Sequence, residues 1–378
     1  MSALTPPPAL PIHHADDRSA MAHALALAER AIGLTDPNPR VGCVIVASDG
    51  RVLGSGHTQP AGQAHAEVMA LRDAAARGAD LRGATAYVTL EPCAHHGRTP
   101  PCCDALIAAG LARVVAALGD PNPLVAGQGM GRIAAAGIAT ETGLLADLAR
   151  ELNIGFLRRM QTGRPFVRLK IAASLDGRTA LDNGVSQWIT GPAARADGHL
   201  FRKRAGAVLT GIGTVRDDDP RLDVRLVETA RQPLRVVVDS RLETPPTARL
   251  LAPPGQVLLY AAVDPVTRPE SHALRERGAE ICALPGPGGK VDLAAMLDDL
   301  GRRGVNELHV EAGHKLNGSL LRAGLADELL VYLAPKLLGQ GREMAAFGPL
   351  TTLDEAPNWR WLDCVPIGDD LRLRARPA

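Results

Sequence analysis

The feature that most constrains this chain is the run His65-Ala66-Glu67, followed by Glu91-Pro92-Cys93 and then by Cys102-Cys103. Histidine nitrogen and cysteine sulfur are ligands that zinc prefers, so these separated segments must converge if they hold a metal. A structural zinc takes four protein ligands, whereas a catalytic one takes three and leaves a position for water. His65 and Cys93 supply two. Adjacent residues on a helix point about 100° apart, so only one of Cys102 and Cys103 easily faces the same metal. The count is three ligands and an open position. Glu67 suits that opening, because water activated by zinc needs a base to take its proton and an acid to deliver it onward. Positions i and i+2 of a helix lie on nearly opposite sides, so the His-x-Glu pair must occupy a first turn, where both reach beyond the helix end. Cys102 also falls in a first turn, where the helix dipole favours a thiolate.

His-x-Glu followed by Pro-Cys-x-x-Cys is the signature of zinc nucleobase deaminases. Here the eight-residue segment AHHGRTPP separates Cys93 from Cys102. His95, His96 and Arg98 make that segment a polar, partly basic loop suited to an anionic substrate. A purely structural zinc site would want a fourth ligand and would not need Glu67. Unrelated thiols are the remaining reading.

Composition narrows the classes. With 378 residues and 46% hydrophobic content, the chain can bury the cores of two or three domains. Aromatics are 3%, too few for a base-stacking surface, and 42 basic against 41 acidic residues leave a formal charge of +1. Nucleic acid is therefore not the expected partner. Six cysteines, three of them between 93 and 103, read as metal or catalysis rather than a disulfide scaffold. No apolar run is long enough to span a bilayer, and the start lacks a basic-then-apolar signal pattern. A cytoplasmic protein without membrane contact is expected, with residues 1–17 as a disordered leader.

Strand and helix alternate along both halves, which predicts α/β architecture throughout. In the first half, helices are expected over 19–33 and 64–77, and another N-capped by Thr99 and closed by Gly110. Strands are expected over 41–48, 84–90 and 113–118, with a hairpin turn at Asp49-Gly50. The pattern pauses over 155–165. Further strands follow over 167–174, 207–214, 234–240, 256–262, 307–313 and 327–335. Asp-Pro-Asn-Pro occurs at 36–39 and 120–123, read as two turns rather than an internal repeat.

The segments TDPNPRVGCVIV, HAEVMAL and YVTLEPCAHHGRTPPCCDAL closely resemble the bifunctional riboflavin-biosynthesis family, a pyrimidine deaminase fused to a pyrimidine reductase. So do LKIAASLDGRTA, SQWITG, DDDPRLDVR, VVVDS and VEAGHKLNGSLL in the second half. The resemblance runs from about residue 18 to 375. It implies a cytidine-deaminase-like three-layer α/β/α domain over 18–160 and a dihydrofolate-reductase-like α/β domain over 164–378. It implies that His65, Cys93 and Cys102 bind one zinc, that Glu67 shuttles protons, that Cys103 packs, and that Asn38 touches the deaminase substrate. In the reductase it implies NADPH contacts at Ala172, Trp188, Thr214, Asp218, Ser240, Gly313, His314, Lys315, Leu316, Asn317, Gly318 and Ser319. Substrate contacts fall at Ser186, Arg202, Leu222, Arg225 and Glu311. The implied substrate is a phosphorylated pyrimidine, 2,5-diamino-6-(5-phosphoribosylamino)pyrimidin-4(3H)-one, and a homodimer or homo-oligomer is expected.

The residues of the second half carry a weaker message alone. GIGTV over 211–215 is a partial glycine-rich match. VEAGHKLNGSLL is the better phosphate site, since a strand ends, Gly313 allows close approach, and free N–H groups begin a helix. Arg202 and Arg225 suit a substrate phosphate through charge-assisted hydrogen bonds. Nothing in the sequence assigns Lys170 or Asp176 a step. The alternatives are a nucleoside or nucleic-acid deaminase with an appended nucleotide-binding domain, and a zinc-stabilised binding module.

Overall fold

A computed structural model describes residues 12–94, 100–121, 126–252 and 254–378. The chain forms two compact units, Met1–Gln161 and Thr162–Ala378. Among the described residues no helix is long and apolar enough to cross a membrane.

The first unit begins α1 (Asp17–Glu29), β1 (Gly42–Val46), β2 (Val52–His57), α2 (Ala66–Ala76), β3 (Thr85–Val88) and α3 (Cys102–Ala108). It continues β4 (Arg113–Ala116), α4 (Gln128–Ala135), β5 (Ala139–Thr142), α5 (Ala146–Leu152) and α6 (Ile154–Thr162). The sheet order is β2-β1-β3-β4-β5. β1 is antiparallel to β2 and β3, and the remaining pairs are parallel.

Glycines set how closely the helices approach this sheet. A Cβ at Gly42 would lie 1.9 Å from the Ala24 carbonyl oxygen on α1, and one at Gly54 would lie 2.3 Å from the Ala70 oxygen on α2. Gly54 and Gly56 pair with Ile45 and Cys43, which alternate with Gly42 along β1. Paired residues share a face and successive residues alternate, so α1 and α2 cover opposite faces. That is the three-layer α/β/α arrangement.

Several details differ from expectation. Of the expected leader, residues 12–17 are built into the unit: Val52 N donates to Ile12 O at 2.9 Å and His14 N to Gly50 O at 2.7 Å. Asp16 caps α1, and the buried His14 lies with its Nε2 2.9 Å from His23 Nδ1. Residues 1–11 lie outside the described residues. The helix assigned to a Thr99 cap instead starts at Cys102 with Pro101 as N-cap, and Thr99 lies outside the described residues.

The second unit begins β6 (Phe166–Ser174), β7 (Arg178–Leu181), α7 (Pro192–Arg204), β8 (Ala207–Gly211), α8 (Ile212–Asp218), β9 (Leu234–Val238), β10 (Val257–Ala261) and α9 (Pro269–Glu276). It continues β11 (Ala279–Ala283), α10 (Leu293–Arg302), β12 (Glu307–Val310), α11 (His314–Arg322), β13 (Glu328–Ala334), β14 (Gly341–Glu343), β15 (Trp359–Ile367) and β16 (Asp370–Pro377). Its main sheet has the order β11-β10-β9-β8-β12-β6-β13-β16-β15. From β11 to β13 all neighbours are parallel, and β16 and β15 are antiparallel additions. β10 and β12 are buried along their whole length, as expected of parallel strands covered on both faces. The C-terminal ends of these strands form the rim where such sheets bind ligands.

Candidate active sites

Two helix starts define the first site. His65 is the N-cap of α2 and Glu67 lies in its first turn, while Cys102 is the first residue of α3. Cys93, in the segment after β3, lies between them. Its Sγ accepts from Cys102 N at 3.4 Å, and its carbonyl accepts from Cys103 N at 3.3 Å. The segment is anchored by its neighbour Glu91, a residue the sequence gave no role. Its buried carboxylate accepts from the backbone N–H groups of Asp120 at 2.9 Å, Gly127 at 3.0 Å, Gly129 at 2.9 Å and Met130 at 3.2 Å. Four donors on one carboxylate fix where the chain leaves β3, and hence where Cys93 stands.

The donor atoms fit zinc. His65 Nδ1, Cys93 Sγ and Cys102 Sγ lie within 4.8 Å of one another. His65 Nδ1 is 3.7 Å from Cys93 Sγ and 3.4 Å from Cys102 Sγ. A tetrahedral zinc with ordinary Zn–S and Zn–N bonds requires N···S edges of about 3.6 Å. Cys103 is buried and points away, its Sγ facing Asp104 Oδ1 at 3.7 Å. Hydrogen bonding from Cys102 pulls the Cys93 thiol down to about 4, towards the thiolate that metals bind. Burial pushes the Glu67 carboxyl up to about 7, with the neighbouring Cys93 adding to the shift. A carboxyl held near neutrality both takes and gives protons.

Asn38 sits in a tight turn, its N–H donating to Thr35 O at 2.9 Å. No hydrogen bond joins it to the trio among the described residues. His95, His96 and Arg98 lie outside the described residues.

The second unit holds a cavity of about 1520 Å³ at the strand ends. Ala172 lines it from β6, and Thr214 and Asp218 from α8. Ser240 lines it from beyond β9, and Gly313, His314, Lys315, Leu316, Asn317 and Ser319 from the start of α11. Gly318 does not, because it faces the other way: a Cβ there would lie 2.2 Å from the Ala346 carbonyl oxygen. Trp188 is exposed at the wall with the Arg195 guanidinium 4.6 Å from its ring centroid. Ser186 donates to Asp218 Oδ1 at 3.1 Å, and Leu222 is buried at the wall.

Chemistry concentrates around Glu311. Arg202 grips its carboxylate through both Nε and Nη2, the latter at 2.9 Å. Lys170 Nζ lies 3.9 Å from Glu311 Oε2. Burial pushes the Glu311 carboxyl up, but Arg202 and Lys170 overcome it and hold it well below the usual range. Burial lowers Lys170, and Glu311 offsets part of that. Arg202 Nη1 also donates to Asp223 O at 2.8 Å. Its guanidinium therefore braces Glu311 and the Asp223 segment while lining the cavity. Arg225 pairs with Asp223 Oδ1 at 2.7 Å and remains partly exposed. Lys170 faces the same cavity, a placement no local motif announced.

The α11 end of the cavity fits a nucleotide cofactor. Gly313, with free N–H groups beyond it, stands opposite Thr214, where a Cβ would approach Thr214 Oγ1 to 3.6 Å. Buried Asn317 donates to Met344 O at 3.0 Å, yet its Oδ1 has no partner among the described residues. An orphaned buried acceptor on a cavity wall calls for a ligand donor.

Comparisons with known proteins match both halves. The model of the cytidine and deoxycytidylate deaminase zinc-binding region matches residues 14–118, and that of the RibD C-terminal domain matches 165–373. The riboflavin biosynthesis protein RibD of Escherichia coli (strain K12) is 48% identical over 370 residues, covering 94% of this chain and 98% of that one. The solved structure of Acinetobacter baumannii RibD superposes with a TM-score of 0.87 at 43% identity, covering 96% of this chain and 99% of that one. A Thermotoga maritima structure, titled diaminohydroxyphosphoribosylaminopyrimidine deaminase/5-amino-6-(5-phosphoribosylamino)uracil reductase, superposes with a TM-score of 0.86 at 32% identity, covering 96% and 98%. Full-length relatives and a matched reductase region set aside the alternative of a deaminase with an unrelated appended domain. With a histidine–dicysteine centre in one unit and a strand-end cavity in the other, the chain belongs to the RibD family, the bifunctional deaminase-reductases of riboflavin biosynthesis.

Proposed function

We propose that the first unit deaminates 2,5-diamino-6-(5-phosphoribosylamino)pyrimidin-4(3H)-one and that the second reduces the ribosyl group of the product. The final product is 5-amino-6-(5-phosphoribitylamino)uracil. One zinc would serve the first unit and NADPH the second. The observation that carries the deaminase reading is Glu67, buried beside three donor atoms that lie within 4.8 Å of one another. The printed title of the Thermotoga relative supports the substrate.

His65, Cys93 and Cys102 would hold the zinc, which supplies a Lewis acid and lowers the pKa of water. Glu67 takes the proton from the attacking water on its carboxyl oxygen and passes it to the ring nitrogen. It then takes the remaining proton from the new hydroxyl and delivers it to the departing amine, so that water enters, the C–N bond breaks, ammonia leaves and a carbonyl replaces the 2-amino group. Asn38 is assigned a substrate contact.

NADPH would supply hydride to C1′ of the open-chain ribosyl group. The α11 start, with Gly313 to Ser319, would hold its pyrophosphate, and Ala172, Trp188, Thr214, Asp218 and Ser240 line its path. Ser186, Leu222, Arg225 and Glu311 are assigned to the substrate. Arg202 is assigned to the substrate with them, and it also fixes the Glu311 carboxylate. The chain is assigned to the cytoplasm and to a homodimer or larger homo-oligomer, which sedimentation measures.

The test follows both products. Zinc-loaded protein given the diamino substrate should release ammonia, and given the deaminated intermediate should oxidise NADPH. Zinc-loaded protein that releases no ammonia from this substrate would overturn the deaminase reading.

A further inference from the structure

The two faces of β12 differ in kind. Leu308 and Val310 join the apolar core on one face, while Glu307, His309 and the following Glu311 share the other. Parallel strands covered on both faces ordinarily carry apolar residues throughout, so a histidine in the middle of this one calls for a reason. His309 is 0% exposed. Its sheet neighbours are Arg168 on β6 and Val208 on β8, and Phe201 of α7 stacks on it, with ring centroids 6.5 Å apart and 12° between the planes.

Neither nitrogen of the His309 ring has a hydrogen-bond partner of good geometry among the described residues. A buried polar group in that state costs stability, and an apolar side chain of similar size would not. The ring nevertheless has a polar neighbour, because its Nε2 lies 3.3 Å from Glu311 Oε1. Glu311, Lys170 and Arg202 line the cavity, whereas His309 does not reach it. The histidine therefore stands behind the wall, against the carboxylate that the wall presents. Burial holds the imidazole below its ordinary pKa against the pull of Glu311, and Arg168 and Arg202 push it the same way as burial. The ring is thus neutral and carries one N–H. An ionised carboxylate only accepts, so the tautomer that Glu311 favours has its proton on Nε2.

We infer that His309 is a positioning residue for the reduction, its Nε2–H holding Glu311 Oε1 so that the carboxylate meets the substrate in one orientation. This rests on the reading of Glu311 as a substrate-binding group of the reductase. Arg202 fixes the plane of the carboxylate through two bonds, but both come from one long side chain on α7. A swing of that arginine would take the carboxylate with it. His309 is short, buried and set in the sheet, so it ties Glu311 to β12 itself. Contacts of this kind tighten when substrate binds.

Steady-state reduction by the full, zinc-loaded chain tests it with His309→Leu, His309→Gln and Glu311→Gln. Leucine keeps an apolar side chain of similar size and removes the donor, whereas glutamine can place an amide N–H where Nε2 stands. His309→Leu should raise KM for the deaminated intermediate roughly tenfold, the effect of one hydrogen bond to a charged group, and leave kcat and the KM for NADPH near wild type. His309→Gln should restore most of that loss. Thermal unfolding of His309→Leu should occur at or above the wild-type temperature, since the substitution removes an unpartnered buried ring. Glu311→Gln serves as the reference and should raise the same KM. If Glu311→Gln raises it and His309→Leu does not, or if glutamine does no better than leucine, the inference falls and the reading of Glu311 stands. A leucine variant that unfolds at a lower temperature, or loses affinity for NADPH equally, makes the ring scaffold and also overturns the inference. If Glu311→Gln leaves KM for the intermediate unchanged, the reading of Glu311 falls and the inference with it.

Discussion

Arg168→Met should destabilise the reductase unit by a calculable amount. Arg168 lies on β6 directly across from Glu328 on β13. Its Nε donates to Glu328 Oε1 at 2.6 Å and its Nη1 to Glu307 Oε2 at 2.8 Å. All three side chains are no more than 1% exposed. The rings of Phe166 and Phe201 lie with centroids 5.4 Å and 5.1 Å from the guanidinium carbon. Burial works against the Arg168 charge, and Glu328 and Glu307 more than restore it. Methionine keeps much of the apolar stem, so the loss is mainly electrostatic. Breaking a buried pair costs about 3–5 kcal/mol, because the surviving charge stays buried. Here Glu307 keeps Arg204 at 2.8 Å and Glu328 keeps Arg376 at 2.8 Å. The expected cost is therefore near the lower limit, about 3 kcal/mol. For a unit of this size that lowers Tm by about 6–12 °C. Calorimetric unfolding of the full chain reads it, with the transition that NADPH raises marking the reductase unit. Zinc content should not change. A shift below about 2 °C would refute the reasoning, since it would mean the network contributes less than about 1 kcal/mol.

Two other perturbations separate site from scaffold. Cys102→Ser should remove zinc and deamination together, whereas Cys103→Ser should keep zinc and cost about 1–2 kcal/mol by burying a hydroxyl in the core; metal analysis and thermal unfolding check both. Burial pushes His199 down to about 4, and its Nδ1 accepts from Arg225 N at 3.1 Å. On acidification the unfolded chain binds this proton first, so the stability it contributes is whole above about pH 6.5 and declines as pH falls towards about 4, by an amount on the order of 2 kcal/mol. Urea unfolding across that window measures the slope, which His199→Asn should flatten.

How far the molecule is legible from its sequence differs between the sites. The zinc-type centre is written locally: His65 and Glu67 are two residues apart at a helix start, and Cys102 begins the next helix. Spacing alone therefore restricts which atoms can meet. The α11 start is legible for the same reason, a glycine between strand and helix. The Glu311 cluster is not, because Lys170, Arg202 and Glu311 come from three elements and meet only when β6 and β12 pair and α7 packs nearby. The hub at Glu91 is hidden likewise, since its partners lie at 120 and 127–130. β5 is exposed along its length and lacks the apolar signal of a strand, and β15 is apolar in most positions yet none of its residues is buried. Within the run Gly313 to Ser319, the lack of a side chain at Gly318 also serves the close passage of Ala346, which no local pattern announces.

The measurement that bears most directly on the proposed chemistry is ammonia release by Glu67→Gln, read beside its zinc content. The substitution keeps the shape of a buried side chain and removes its ability to carry a proton. The expected result is one zinc per chain, unimpaired NADPH oxidation with the deaminated intermediate, and deamination slower by at least about 10²-fold. Ammonia release at the wild-type rate from the zinc-loaded variant would contradict the role given to Glu67.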